Sequence, residues 1–283
     1  MITGFSVDLG GTKTAAARIE NGRVLQREQI PTEGLAGLDR QIAEMSVLLE
    51  RLGYRNGERL GVAVAGRVDA EGRWQAVNAD TLPGIGGEPL LQWLRETFGQ
   101  AVTVINDAAA ATSAEAVLGA GQGAEHFAYL TVSTGVGGGV VLNGKLVQSR
   151  NGLAGHVGFI SSPFGQNVCG SGRFGTVESV ASGRAIAKAA GAADARTAFV
   201  SRTEKGRAAI DRSIAAVARL CADLTAIFGL DRIALGGSVG LADGYLSGVS
   251  ARLEHEPLLF RVPVVQATLG HDSALLGALL PKE

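Results

Sequence analysis

GFSVDLGGTK (residues 4–13) runs as an apolar strand to Asp8, turns on Gly10 and Gly11, and restarts as TKTAAARIE (12–20). Without side chains, the two glycines let backbone N–H groups point into the turn, free to bind phosphate oxygens. Thr12 and Lys13 add a hydroxyl and a cation, and Asp8 offers a carboxylate to Mg²⁺, directly or through water. An ordinary hairpin turn accounts for the same residues. A second stretch, TVSTGVGGG (131–139), has the same design, with Ser133, Thr134 and Gly135 in the turn. It is not a Walker A loop, because no Gly-Lys-Ser/Thr follows at the required spacing. Nor is it a dinucleotide fingerprint, because it leads into a strand rather than a helix. Two such turns facing each other would clamp the phosphates of a nucleotide.

Working outward, residues 2–30 read as a hairpin-rich sheet, and 35–52 carry Leu38, Ile42, Met45, Leu48, Leu49 and Leu52 at helical spacing. RLGVAVAG (59–66) and AVTVINDA (101–108) read as strands buried on both faces. Alanine-rich 108–119 reads as a helix closed by glycine. The pattern then restarts: 128–148 is again strand, glycine turn and strand, and a long helical stretch at 207–228 leads to IALGGSVG (233–240). Two copies of one module imply an internal duplication. The last segment, 271–283, is expected to pack back on the first copy.

The bulk composition excludes several classes. The 283 residues carry a net charge of −1 with both signs interspersed, unlike the basic face of a nucleic-acid binder. Apolar runs are short and broken, so no membrane span is expected, and the N-terminus lacks a signal-peptide pattern. Cys169 and Cys221 do not make a disulfide framework. The forty-one glycines follow no G-X-Y period, so they point to tight turns rather than collagen. The expectation is a cytoplasmic α/β protein.

Asn106-Asp107 ends a buried strand, where α/β sheets place working groups. A carboxylate there can accept a hydroxyl proton, with Asn106 orienting the same substrate. The competing reading is a cap for the helix that follows. Gly236-Gly237-Ser238-Val239-Gly240 also ends a strand; it reads either as bare backbone for an adenine or ribose, or as a helix-entry turn.

Taken together, DLGGTK (8–13), VAGRV (64–68), IND (105–107), TVSTGVGGGVV (131–141), GLAGHVG (152–158), VESVASGRAI (177–186) and ALGGSVGLADGYL (234–246) resemble the ROK family of sugar kinases and related repressors. The likeness spans nearly the whole chain. The resemblance implies an α/β, duplicated ribonuclease H-like (actin/hexokinase-like ATPase) fold of two domains with a central cleft. Residues 1–115 plus 271–283 would form the smaller domain and 116–270 the larger. It also implies phosphorylation of a sugar 6-hydroxyl by ATP and Mg²⁺, with Asp107 as the base. Gly66, Arg67, Thr81, Asn106, His156 and Glu178 would line the sugar pocket. Asp8, Gly10, Gly11, Thr12, Lys13, Thr134 and Gly135 would hold the phosphates and metal, with Gly237 near the adenosine. A homodimer is implied by family likeness. Within the family the chain is most similar to the bacterial N-acetylmannosamine kinases, through GLAGHVG, GGSVGLADGYL and HDSALLGALL. Glucokinase, fructokinase and N-acetylglucosamine kinase specificities are the alternatives. A sugar-sensing repressor is disfavoured, because the nucleotide strand starts within the first five residues.

Two departures from the family pattern matter. His156 stands where many members have glutamate, and an imidazole suits a 2-acetamido substituent. Members commonly hold a structural Zn²⁺ with one His and three Cys, whose positions read here Phe159, Cys169, Ser171 and Thr176. One thiol cannot replace four tetrahedral ligands, so no zinc is expected. Phe159, Phe164 and Phe174 are expected to fill the vacated space.

Overall fold

A computed structural model describes residues 2–78, 81–201 and 203–280. The last three residues of the expected closing segment 271–283 therefore lie outside the described residues. The chain divides into two compact units: Met1–Ala114 with Gln148–Ala154 and His271–Glu283, and Glu115–Val147 with Gly155–Gly270.

The first unit contains β1 (Gly4–Leu9), β2 (Lys13–Glu20), β3 (Arg23–Pro31), α1 (Leu38–Arg51), β4 (Leu60–Val64), β5 (Arg67–Val68), β6 (Trp74–Gln75), β7 (Gly86–Glu88), α2 (Leu90–Phe98) and β8 (Val102–Asn106), and receives the start of α3 (Asp107–Leu118). Its main sheet runs β3-β2-β1-β4-β8; the β1–β2 and β2–β3 pairs are antiparallel, and the β1–β4 and β4–β8 pairs parallel. Every residue of β4, LGVAV, is buried, as a strand covered on both faces requires. On one face α1 contributes Leu38, Ile42, Met45, Leu48 and Leu49 to a core that includes Val7, Leu9, Val62, Val64 and Trp74.

The second unit contains β9 (His126–Val132), β10 (Val136–Leu142), β11 (Lys145–Leu146), α4 (Glu178–Ala181), α5 (Gly183–Ala190), α6 (Ala195–Ser201), α7 (Glu204–Phe228), β12 (Arg232–Gly236), α8 (Gly237–Gly240), α9 (Tyr245–Leu253) and β13 (Val264–Gln266). Its sheet runs β11-β10-β9-β12-β13, again with two antiparallel pairs followed by two parallel ones. Each sheet thus begins with its central strand, returns through a glycine turn, and crosses over to the other side. The duplication read from the sequence is a duplication of topology. Helix α7 starts at Thr203, whose Oγ1 accepts the Gly206 N–H at 3.0 Å, and ends at Gly229 with φ +60°.

The chain closes with α10 (Ser273–Ala278), in the first unit. A Cβ on Gly277 would collide with the Ala110 carbonyl of α3, and one on Gly61 with the Ala278 carbonyl. Ala63, Ala110, Ala274 and Ala278 form a small apolar cluster at this contact. The alanine of 108–111 therefore serves close backbone packing as well as helix propensity. Asp107 is the first residue of that helix, while Asn106 is the last of the strand.

Candidate active site

The candidate residues fall into two groups, one in each unit. In the first, Asp8 is the penultimate residue of β1, and the turn beyond it closes with the Gly10 N–H donating to the Lys13 carbonyl at 2.9 Å. Neither Gly10 nor Gly11 has a positive φ. Gly11 is required by approach, because a Cβ there would meet the Thr81 methyl. Thr81, expected in the sugar pocket, thus sits against the glycine turn. Thr12 and Lys13 are exposed. Asp8 Oδ1 is enclosed without a hydrogen-bond partner. Burial, then the charge of Asp107, push the Asp8 carboxyl up to about 7 against the lowering pull of Arg27.

Asn106 and Asp107 are held from several sides. Asn106 Nδ2 donates to the Gly66 carbonyl at 2.7 Å and to Asp107 Oδ1 at 2.9 Å. Asn106 Oδ1 accepts the Ala109 N–H at 2.9 Å, so the capping role is real. Asp107 Oδ1 also accepts the Ala108 N–H at 2.8 Å, which leaves the other carboxylate oxygen outside these bonds. Burial pushes Asp107 up to about 6, outweighing the lowering by Ala108 and Asn106. Gly66 lies at φ +106°, and a Cβ there would come within 2.5 Å of the Gln75 carbonyl. Fully buried Trp74 pins the preceding peptide by donating Nε1–H to the Ala65 carbonyl at 2.8 Å. Arg67 is gripped by Gln75 Oε1, at 2.9 Å from Nε and 2.6 Å from Nη2, and its Nη1 donates to the Asn151 carbonyl. Gln75 and Trp74 were not singled out in the sequence; the signal it offered was Trp74 itself, one of the chain's two tryptophans.

In the second unit, the Ser133 N–H donates to the Gly135 carbonyl at 2.9 Å, and the Gly183 N–H to the Ser133 carbonyl at 2.7 Å. Thr134 is exposed at the turn. Ser133 Oγ and Ser238 Oγ are 3.1 Å apart. Gly237 takes φ +83°, where a Cβ would lie 2.7 Å from Thr131 Oγ1, so it is both a positive-φ turn and a close approach. Glu178 Oε2 accepts the Val136 N–H at 3.1 Å, beside Gly135, while Oε1 is buried without a hydrogen-bond partner. Burial pushes its carboxyl up, against the Val136 N–H and Arg184. The His156 ring stacks on Phe159, centroids 5.9 Å apart.

The loop before Glu178 is held by its own backbone. Ser161 bridges to Thr176 and Val168 to Phe174, while Thr176 Oγ1 accepts the Ser179 N–H at 3.2 Å. Cys169 Sγ lies 3.0 Å from Ser171 Oγ. Phe164 packs on the core and Phe159 on His156, but Phe174 is 66 % exposed. The expectation that three phenylalanines fill one space is therefore corrected. Phe174 is paired across a β-bridge at the loop's edge, which faces its ring outward.

In the first unit, Asp8 fits a divalent cation bound together with phosphates. Asp8 supplies an enclosed, unpartnered carboxylate oxygen of the hard type such cations take. Among the described residues no group of three or more His, Cys, Asp or Glu could hold a metal, so phosphate and water oxygens would complete the shell.

The family model described as "ROK family" matches residues 4–281. The chain is 40% identical to an N-acetylmannosamine kinase of Salmonella typhi over 288 residues, covering 99% of this chain and 98% of that protein. It is 38% identical to one from Vibrio cholerae, covering 97% of each. Among solved structures it is similar to a ROK hexokinase from Thermus thermophilus, with TM-score 0.81, 32% identity, and 98% and 96% of the chains covered. A ROK family glucokinase from Streptomyces griseus, in complex with glucose and AMPPNP, gives TM-score 0.79 at 27% identity over 98% of each chain. The fold is thus the duplicated two-domain type of actin and hexokinase. No helix among the described residues is long and apolar enough to cross a membrane.

Proposed function

The chain belongs to the ROK family, and from that membership and the geometry above we propose that it transfers the γ-phosphoryl group of ATP to the 6-hydroxyl of N-acetyl-D-mannosamine. The observation that carries the mechanism is Asp107, a half-buried carboxylate pushed up to about 6, braced on one oxygen and set at a helix start. A base with that pKa is mostly ionised at neutral pH yet basic enough to take a hydroxyl proton in the transition state. As Asp107 takes the proton, the sugar oxygen forms its bond to the γ-phosphorus. The bond to the bridging oxygen breaks, and its electrons leave with ADP.

Asn106 holds the carboxylate in place. Glu178, with its spare enclosed oxygen, and His156 are assigned to sugar hydroxyl and acetamido groups, with Gly66 and Thr81 along the pocket. Arg67 shapes the Gly66 turn through Gln75. The turns at Gly10, Gly11, Thr12 and Lys13, and at Thr134 and Gly135, are assigned to phosphate, and Gly237 to the adenosine. Asp8 would hold Mg²⁺, which when bound neutralises the phosphate charge that builds during transfer. The same reading carries a homodimer working in the cytoplasm in amino-sugar breakdown, with sialic acid as the upstream source.

A coupled assay across N-acetylmannosamine, N-acetylglucosamine, glucose and fructose tests the substrate. The first should give the largest kcat/KM, and a larger value for glucose would overturn the specificity. Asp107→Ala should cost about 10²–10⁴ in kcat; a loss of only a few-fold would remove the base assignment.

A further inference from the structure

The outer face of the first glycine turn is closed by a residue that none of the motifs contain. Thr32, the residue after β3, contacts the turn twice. Its N–H donates to the Thr12 carbonyl at 3.1 Å, and its Oγ1 donates to the Gly10 carbonyl at 2.9 Å. Thr14, fully buried in β2, lies 2.9 Å from Thr32 Oγ1. Because the Thr32 hydroxyl hydrogen is spent on Gly10, the Thr14 hydroxyl must donate to Thr32. The result is a directed chain, Thr14 to Thr32 to Gly10.

The consequence follows from peptide planarity. The described residues contain no cis peptide bond. In a trans peptide the N–H points opposite to the C=O of the same plane. Pinning the Gly10 carbonyl toward Thr32 therefore turns the Gly11 N–H to the opposite side of the turn. A glycine peptide without that tether rotates readily. We infer that Thr32 is a positioning residue for the nucleotide, fixing the Gly10–Gly11 peptide so that the Gly11 N–H is aimed at a phosphate oxygen before ATP arrives. This rests on the kinase reading and deepens it: the sugar side of the site is not involved.

The test measures AMPPNP affinity with Mg²⁺ by calorimetry, together with ATP and N-acetylmannosamine KM values, on the full chain. Thr32→Val keeps the shape and removes the hydroxyl. Nucleotide affinity should fall on the order of tenfold, the scale of a hydrogen bond to a charged group. Sugar KM should stay within twofold, and Thr32→Ser should restore nucleotide binding. Thr32→Ala, which keeps the backbone bond to Thr12, should reproduce the selective loss and serves if the valine variant does not fold. Unchanged nucleotide affinity, or an equal loss for nucleotide and sugar, overturns the assignment. A wild-type protein that binds no AMPPNP overturns instead the kinase reading beneath it.

Discussion

Replacing Asp107 with asparagine should stabilise the metal-free protein at pH 8 while removing its activity. Burial raises this carboxyl from 3.8 to about 6. At 1.36 kcal/mol per pKa unit, that rise corresponds to about 3 kcal/mol. The folded state holds the proton more tightly than the unfolded chain does. Below about pH 4 both states are protonated and the group costs nothing. Between about 4 and 6 only the folded state is protonated, so stability falls as pH rises, and above about 6 the full cost is present. Asparagine is neutral throughout and keeps a carbonyl oxygen for the Ala108 N–H and for Asn106 Nδ2. The gain should therefore be about 3 kcal/mol at pH 8 and vanish toward pH 4. Removing the Asp107 charge also lowers the pKa of Asp8, which adds to the gain in the same direction. Urea unfolding in the presence of a chelator, at pH 4.5, 6 and 8, reads this out. Both tryptophans, Trp74 and Trp93, lie in the first unit, so their fluorescence follows the part of the chain that holds Asp107. Equal midpoints at pH 8, or a gain of the same size at pH 4.5, would refute the argument.

The Asp8 carboxyl, pushed up to about 7, must lose its proton to bind a cation, so apparent Mg²⁺ affinity measured with AMPPNP should weaken about tenfold from pH 8 to pH 6; a flat profile would exclude Asp8 as the metal anchor. Because the loop before Glu178 is held by backbone bridges and the Thr176 bond, a zinc-selective chelator should leave the sugar KM and the unfolding midpoint unchanged, while stoichiometric zinc in purified protein would sink that reading.

The fold was legible because its strands and turns are local. Continuous apolar runs such as LGVAV, and glycine turns followed by new strands, can be read without knowing what lies across the sheet. The acids at strand ends were legible for the same reason. What escaped was set by residues far apart in sequence. Gly11 is needed because Thr81 arrives from seventy positions away, which no turn propensity encodes. Asn106 could be read as a substrate ligand or a cap; that one of its amide hydrogens would go to the Gly66 carbonyl depends on a forty-residue separation, whereas the bond to the adjacent Asp107 is local. Arg67 looks free in the sequence, and only the pairing of β5 with β6 delivers Gln75 to it. The loop at 161–176 was misjudged in its packing because phenylalanine is assumed to go inward, whereas a β-bridge fixes where Phe174 points.

The two raised carboxylates also explain why the scaffold around them is so tightly built. Asp8 and Asp107 would lower their free energy if the backbone shifted to admit water or a neutralising cation from the protein. Such a shift is opposed on every side that the first unit shows. Asp8 is one residue from the end of a central strand paired on both edges, with Ala15 and Ala63 as its partners. Asp107 starts a helix whose next turn meets α10 at backbone contact, where Gly277 leaves no room for movement. Gly66, the other support of Asn106, is fixed by Trp74 through Ala65. A carboxylate can stay near pKa 6 or 7 only where the surrounding chain cannot relax toward it. The small residues at 61, 63, 110 and 277 are thus part of the chemistry, because they hold the strand ends and helix start in which Asp107 is braced on one oxygen and Asp8 Oδ1 is left without a partner.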